Sequence, residues 1–192
     1  MKFTAAPLAG VSVIESEQHK DERGYFMRVS CELELGARDL PQRFVQTSLS
    51  FNPRTGTVRG LHFQWPPSNE GKLVRCLSGA IHDVMVDLRP GSATFLQHFA
   101  IELSEANARA VYIPPGFAHG FQTLQVDARV LYQMTDVFQP TLTAGFSFDD
   151  PAFGISWPLP VTVINARDRD CPAFDARSYC AEFERRAAGV PT

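Results

Sequence analysis

Residues 57–64, with the sequence TVRGLHFQ, place two chemically active side chains in an otherwise apolar run. Arg59 is a permanent cation, and His62 carries an imidazole that titrates near neutral pH and can act as a general base. Side chains alternate along a strand, which predicts that Val58 and His62 share an inward face and that Arg59 lies on the other face. The guanidinium of Arg59 beside an apolar strand requires an anionic partner. Its presence near His62 therefore favours a functional role for His62 over that of an ordinary core histidine.

A second histidine and a lysine extend this candidate site. Residues 113–121 read IPPGFAHGF and deliver His119 just after a Pro-Gly turn. Lys72 follows a glycine and enters another apolar run. Both residues also have a non-functional interpretation. His119 can be an incidental polar residue of a turn, and Lys72 can be one of the many lysines that are solvated at strand ends. Together with His62 and Arg59, they predict a lined cavity for an anionic small ligand.

The two histidines raise the question of a metal. Residues 115–119 have the PGxxH form of the second half-motif of metal-binding cupins, but the first half-motif, His-x-His with a nearby Glu, is missing because Phe63 and Gln64 follow His62. Two scattered histidines without a third ligand make a poor divalent site. A GxGxxG dinucleotide fingerprint is also missing. We therefore expect a cupin-like barrel without metal or cofactor.

Composition narrows the class of protein. The 192 residues are 44% hydrophobic and 20% charged, which is typical of one globular domain over residues 1–192. A net charge of −3 without a Lys/Arg block argues against a nucleic-acid partner. No apolar run approaches the ~18 residues of a membrane span, and the first ten residues do not resemble a signal peptide. Cys31, Cys76, Cys171 and Cys180 form no CxxC pair, which predicts free thiols and a cytoplasmic location.

The remaining chain reads as short strands separated by glycine and proline. This spacing predicts an antiparallel sandwich or barrel rather than alternating strands and helices. A charged turn is expected over residues 19–24, a short helix over 31–36 and a closing helix over 173–188. Besides residues 57–64, the expected strands are residues 11–15, 25–29, 44–51, 73–77, 81–88, 98–103, 110–113 and 129–134.

Several of these segments resemble one family, the nucleotide-sugar 3,5-epimerases typified by dTDP-4-dehydrorhamnose 3,5-epimerase. The resemblance covers most of the chain in order, and the pair RGLHFQ and GFAHGF at this spacing is its most specific part. It is carried by DERGYF at 21–26, GTVRGLHFQ at 56–64, GKLVR at 71–75, GAIHDVMVDLR at 79–89, IPPGFAHGF at 113–121 and DDPAFGISWP at 149–158.

The resemblance implies an all-β, cupin-like jelly-roll β-barrel with short peripheral helices that pairs into a homodimer. It also implies an isomerase that inverts C3, C5 or both in a nucleoside-diphosphate 4-keto-6-deoxy sugar, without cofactor or metal. By position, His62 is then the general base, Asp168 the carboxylate that orients it, and Tyr132 the acid on the opposite side of the sugar. Asp170 is the alternative to Asp168. Lys72 lies near the sugar oxygen.

The same resemblance assigns binding residues. Arg59 and His119 match positions around the sugar oxygen and the diphosphate. Arg23 and Phe26 match residues that reach the ligand from the partner subunit.

The expected nucleobase pocket departs from the family pattern. It contains Gln46, but Ser48 replaces an amide that helps to read thymine, which leaves thymidine specificity open. Phe138 stands where the family often has a tyrosine, so the stacking surface remains while the hydroxyl is lost.

Three other functions are alternatives: a single-carbon epimerase, a non-catalytic sugar-nucleotide binder and a metal-dependent cupin dioxygenase. Tyr132 and Lys72 argue against a mere binder, and the missing His-x-His argues against the oxygenase.

Overall fold

Thirteen strands and three helices run along residues 1–189, the part of the chain that this computed structural model describes. In chain order they are β1 (Lys2–Ala5), β2 (Ser12–Glu15), β3 (Gln18–Asp21), β4 (Gly24–Met27), α1 (Glu32–Gly36), β5 (Gln46–Asn52), β6 (Val58–Gln64), β7 (Lys72–Ser78), β8 (Ala80–Asp87), β9 (His98–Ser104), β10 (Arg109–Ile113), β11 (Phe117–Thr123), β12 (Ala128–Met134), β13 (Thr143–Gly145), α2 (Ala166–Arg169) and α3 (Ala176–Ala187).

The strands form two large antiparallel sheets and one separate hairpin. The six-stranded sheet has the order β1-β2-β10-β7-β12-β5, and the five-stranded sheet has the order β13-β6-β11-β8-β9. Strands β5 to β12 divide between the two sheets as β5-β12-β7-β10 and β6-β11-β8-β9, which is the double Greek key of a jelly roll. The predicted all-β jelly-roll fold with short peripheral helices is therefore confirmed.

The main hydrophobic core lies between the two sheets. Val74 of β7 and Val130 of β12 come from the six-stranded sheet, and they cluster with Met85 of β8 and Phe121 of β11 from the five-stranded sheet. Successive side chains of a strand point to opposite faces, so the outer faces of both sheets need cover of their own. Helix α1 provides part of it, because its Leu35 packs with Leu73 and Tyr112 on the outside of the six-stranded sheet.

Helix α3 covers the outside of the five-stranded sheet. Its first turn is capped by Asp175, whose side chain accepts a 2.8 Å hydrogen bond from the Ser178 N–H. Tyr179 of α3 belongs to an aromatic cluster that also contains Leu61 and Phe63 of β6. These two residues therefore face outward, away from the core between the sheets. At 12 residues α3 is the longest of the three helices, and none in the described range is both long and apolar enough to cross a membrane.

The pairing of β6 with β11 contains an irregularity that changes the faces of the central stretch. His62 pairs with His119, whereas Arg59 pairs with Phe121, so two residues of β6 oppose a single residue of β11. Such a bulge breaks the simple alternation of side chains. Arg59 and His62 consequently line the same cavity, and the prediction that Arg59 lies on the face opposite to His62 was wrong.

Glycine is required at the irregularity. Gly60 has a φ of +113°, and a Cβ atom added there would lie 2.6 Å from the Cα atom of Gly120. A side chain would therefore be strained by the backbone conformation and would also collide with β11. The two glycines of RGLHFQ and FAHGF allow the close approach of the strands.

Most expected elements occur, with one local error. The short helix expected over 31–36 is α1, and the closing helix expected over 173–188 is α3. The turn expected over 19–24 is mostly strand, because residues 18–21 pair with 24–27 as the β3–β4 hairpin. Only Glu22 and Arg23 form its turn. The charged composition suggested a turn because a hairpin outside the two main sheets has little apolar surface to bury.

Candidate active site

Two adjoining cavities open between the sheets and share His62, Lys72 and Tyr132 in their walls. The larger has a volume of about 270 Å³ and the smaller about 220 Å³. Because β6 belongs to one sheet and β7 and β12 to the other, the shared walls come from both sheets. The larger cavity also contains Gln46, Ser48, Glu70, Phe138 and Arg167, and the smaller contains Ser50, Arg59 and His119.

A histidine–carboxylate pair stands at the junction of the cavities. His62 Nε2 lies 2.8 Å from Asp168 Oδ1, and the Gly60 N–H donates to Asp168 Oδ2 at 3.0 Å. An ionised carboxylate only accepts hydrogen bonds, so neutral His62 carries its proton on Nε2 and keeps Nδ1 as the basic nitrogen. The alternative carboxylate, Asp170, is exposed and pairs with Arg169 at 3.3 Å.

Asp168 is held rigidly and kept ionised. It lies in the short helix α2, where its N–H donates a 2.7 Å hydrogen bond to the Asn165 side chain that caps the helix. Burial by itself would raise the pKa of Asp168, but hydrogen bonds from His62 and from the Gly60 N–H lower it below the ordinary value. The carboxylate is therefore charged at neutral pH and can stabilise a protonated His62.

Tyr132 faces the cavities from β12. Burial raises the pKa of its phenol, and the negative charge of Asp83 raises it further, while Ser50 and Arg59 act in the opposite direction. The phenol thus remains protonated through neutral and mildly alkaline pH, as a proton donor must. The ring of His119 packs edge-on against Tyr132, with 6.0 Å between the ring centroids.

His119 forms a second histidine–carboxylate pair. Its Nε2 lies 2.8 Å from Oδ1 of Asp83, a residue of β8 that is fully buried. His119 and His62 are direct partners across β11 and β6, so both imidazoles lie on neighbouring strands of one sheet.

Two cations of the site are oriented by neighbouring side chains. Lys72 Nζ pairs with Glu70 Oε1. The Arg59 Nε donates a 2.7 Å hydrogen bond to Oδ1 of buried Asn52, which fixes the direction of the guanidinium. Planar guanidinium groups suit bidentate recognition of phosphate.

Gln46, Ser48 and Phe138 lie together along the larger cavity. The Gln46 Oε1 accepts a 3.0 Å hydrogen bond from the Phe138 N–H, so the loop after β12 is tied to β5. The Phe138 side chain is half exposed and offers a ring face at the cavity edge.

Arg23 and Phe26 do not join the other predicted site residues within one chain. Both belong to the β3–β4 hairpin, which pairs with neither large sheet. Phe26 is 75% exposed, and Arg23 forms an exposed ion pair with Asp21.

Sequence reasoning missed three charged residues of the site. Glu70 and Arg167 line the larger cavity, and Asp83 orients His119. A signal existed for Asp83, since a carboxylate within the apolar run of residues 81–88 must be buried and paired. Glu70 is only two residues from Lys72, but the sequence does not indicate that their side chains meet. No group of three or more His, Cys, Asp or Glu side chains within residues 1–189 could hold a metal ion.

Comparison with known proteins identifies the family of the chain. A family model described as dTDP-4-dehydrorhamnose 3,5-epimerase matches residues 5–176. The Sinorhizobium fredii protein of that name is 40% identical over 175 residues, which cover 91% of this chain and 90% of the relative. The Methanothermobacter thermautotrophicus protein of the same name is 42% identical over 172 residues, with 88% and 92% covered.

Solved structures agree with the sequence relatives. A Bacillus anthracis dTDP-4-dehydrorhamnose 3,5-epimerase with TDP and PPi bound superposes with a TM-score of 0.87 at 34% identity, covering 90% of this chain and 99% of that chain. The resemblance seen in the RGLHFQ and GFAHGF motifs is thereby confirmed. The chain belongs to the dTDP-4-dehydrorhamnose 3,5-epimerase family.

Proposed function

We propose that the protein inverts C3 and C5 of a dTDP-linked 4-keto-6-deoxy sugar, with dTDP-4-dehydro-6-deoxy-D-glucose as the expected substrate. Membership of the family supports this reaction class. The observation that carries the proposal is the common cavity wall formed by His62, Lys72 and Tyr132, with buried Asp168 hydrogen-bonded to His62. It offers a base, a cation and an acid, which are the groups that epimerisation beside a ketone needs.

In this proposal His62 removes the sugar proton through Nδ1. The 4-keto group acidifies the protons on C3 and C5, because the carbanion formed at either carbon is delocalised onto the ketone oxygen. The base then becomes an imidazolium, whose charge is stabilised by Asp168 at 2.8 Å. A positioned general base contributes about 10²–10⁴-fold to the rate.

Lys72 and Tyr132 complete the proton transfer. The ammonium of Lys72 stabilises the enolate oxygen that develops on the former ketone. Tyr132 returns a proton from the face opposite to His62, which inverts the carbon. The raised pKa of Tyr132 supports this role, since the phenol is protonated at the start of each transfer.

Substrate binding is assigned to both ends of the site. Arg59 and His119 hold the diphosphate beside the sugar, where the guanidinium forms charge-assisted bonds to phosphate oxygens. Phe138 stacks on the nucleobase, and Gln46 and Ser48 contact its edge. The TDP bound to the B. anthracis relative supports a thymidine nucleotide. The short side chain of Ser48 leaves more room beside the base than an amide would.

We further infer a cytoplasmic homodimer in which Arg23 and Phe26 complete the partner subunit's site. The projecting β3–β4 hairpin and the 75% exposure of Phe26 support this, because a large apolar side chain left in water is costly. The four free cysteines fit a reducing compartment.

The test is solvent deuterium exchange into the 4-keto sugar nucleotide, followed by ¹H NMR. Wild type should lose the C3 and C5 proton signals in D₂O, and His62→Ala should lose exchange and turnover by about 10²-fold or more. Exchange at one carbon alone would indicate the single-carbon epimerase instead. Binding of the nucleotide without any exchange would contradict catalysis and leave a sugar-nucleotide binder.

A further inference from the structure

The proposed base and cation belong to different sheets. His62 lies on β6 of the five-stranded sheet, and Lys72 is the first residue of β7 in the six-stranded sheet. No backbone ladder connects these two strands, so the relative position of His62 and Lys72 depends on the packing of the sheets and on side-chain contacts near the cavity. A displacement of about 1 Å between reacting groups can cost about 10²-fold in rate.

One chain of contacts crosses between the sheets at this point. Gln64, two residues after His62 on β6, donates from Nε2 to Glu70 Oε2 at 2.9 Å. The other carboxylate oxygen of Glu70 accepts from Lys72 Nζ. The bridge Gln64–Glu70–Lys72 therefore connects the strand of the base to the strand of the cation.

Both ends of the bridge are anchored. Gln64 is buried, and its Oε1 accepts a 2.9 Å hydrogen bond from the Gln139 N–H, which fixes the orientation of the amide. The segment that carries Glu70 is held to the loop after β12, because the Gly71 N–H donates to Thr135 Oγ1 at 2.7 Å.

The ion pair itself is well shielded. The side chains of Lys72 and Glu70 are 14% and 8% exposed, so solvent screens their attraction weakly. A lysine ammonium has three N–H donors on a flexible four-carbon stem. The Glu70 carboxylate accepts a hydrogen bond from one of the three N–H groups of Lys72 and restricts the motion of its side chain. The other two N–H groups remain for the substrate oxygen.

We propose that Glu70 is a positioning residue that, through Gln64, holds the Lys72 ammonium at a fixed place relative to His62. This inference rests on the proposed function, in which Lys72 stabilises the enolate. Glu70 itself takes no part in the transfer of the proton. Its removal should therefore reduce the rate of proton abstraction while nucleotide binding remains.

The experiment measures kcat, KM and solvent deuterium exchange for Glu70→Ala, Gln64→Ala and the double variant, with TDP affinity as the binding control. Glu70→Ala should lower kcat and exchange by about 10- to 100-fold, with KM and the TDP Kd within about threefold of wild type. Glu70→Gln keeps one oxygen that can accept from Lys72 and should lose less. Each single substitution already breaks the same bridge, so the second substitution should add little and the double variant should resemble Glu70→Ala.

Glu184→Ala is the matched control, since it removes an exposed carboxylate on α3 and should behave as wild type. Wild-type kcat in folded Glu70→Ala, additive losses in the double variant, or an equal loss of TDP binding would each overturn the inference. If Glu70→Ala does not fold, Glu70→Gln combined with Gln64→Ala provides the same comparison. Failure of wild type to exchange deuterium would instead refute the proposed function on which the inference rests.

Discussion

Replacing Asp168 by Asn should disable the base without removing it. In the wild type both carboxylate oxygens accept hydrogen bonds, Oδ1 from His62 Nε2 and Oδ2 from the Gly60 N–H. An asparagine has one oxygen and one NH₂ group. If the oxygen keeps the bond from Gly60, the NH₂ group faces His62 and requires Nε2 to accept, which moves the imidazole proton to Nδ1. If the amide flips, two donors collide at Gly60.

The magnitude follows from the geometry. The favoured orientation protonates the nitrogen that should act as the base, and it also removes the negative charge that stabilises the imidazolium. Loss of the correct tautomer in comparable histidine–carboxylate pairs costs about 10⁴-fold in kcat, so we expect a loss of about 10³–10⁴-fold. Asp168 is 1% exposed, and a hydrogen bond to a buried charge contributes about 2 kcal/mol, which corresponds to a fall in Tm of about 4–8 °C.

The assay combines deuterium exchange at C3 and C5 with ¹⁵N NMR of the His62 imidazole. The expected result is slow exchange together with a shift of the imidazole proton from Nε2 to Nδ1. Asp170→Asn is the matched control, because this exposed neighbour contacts Arg169 and should keep wild-type exchange and Tm. Exchange within about tenfold of wild type in Asp168→Asn, or an equal loss in Asp170→Asn, would refute the reasoning.

Three other measurements address the acid, the assembly and the stability. Tyr132→Phe should lower inversion much more than deuterium exchange, since His62 can still remove a proton and return a deuteron to the same face; normal inversion would exclude Tyr132 as the acid. Mixed Arg23→Ala and His62→Ala chains should recover part of the activity if the hairpin serves the partner's site, and no recovery after verified subunit exchange would count against a shared site. Burial alone would raise the pKa of Asp87, but hydrogen bonds led by those of Arg89 lower it to about 2. Its depressed pKa stabilises the fold above about pH 4, so wild type should lose about 2 kcal/mol of unfolding free energy between about pH 4 and pH 2, and Asp87→Asn should lack this loss in acid unfolding curves.

Sequence alone was sufficient for the fold class and the family. Short strands separated by glycine and proline are local signals that predicted an antiparallel sandwich or barrel, and the family resemblance narrowed this prediction to a jelly roll. The family motifs are contiguous stretches, so RGLHFQ and GFAHGF could be recognised without knowing how they meet. The family motifs also contain His62, Lys72 and His119, whose side chains can act as acids or bases or bind anions.

The geometry of the site depended on contacts between distant segments. The irregular pairing of β6 with β11 turned Arg59 toward the cavity that His62 lines, against the simple alternation of side chains. This pairing involves the close approach of Gly60 to Gly120 in another strand, so the sequence of β6 alone could not reveal it. The contact of His62 with Asp168 joins residues 106 positions apart, and the cap of α2 decides which carboxylate reaches the imidazole.

The contact of Gln64 with Glu70 is likewise a property of the tertiary structure. Gln64 ends β6, and Glu70 lies in the loop just before β7. Their side chains meet because the two sheets face each other. Strand propensity and motifs are encoded locally, and they determined which chemical groups this protein possesses. The packing of one sheet against the other decided which of those groups act on one another.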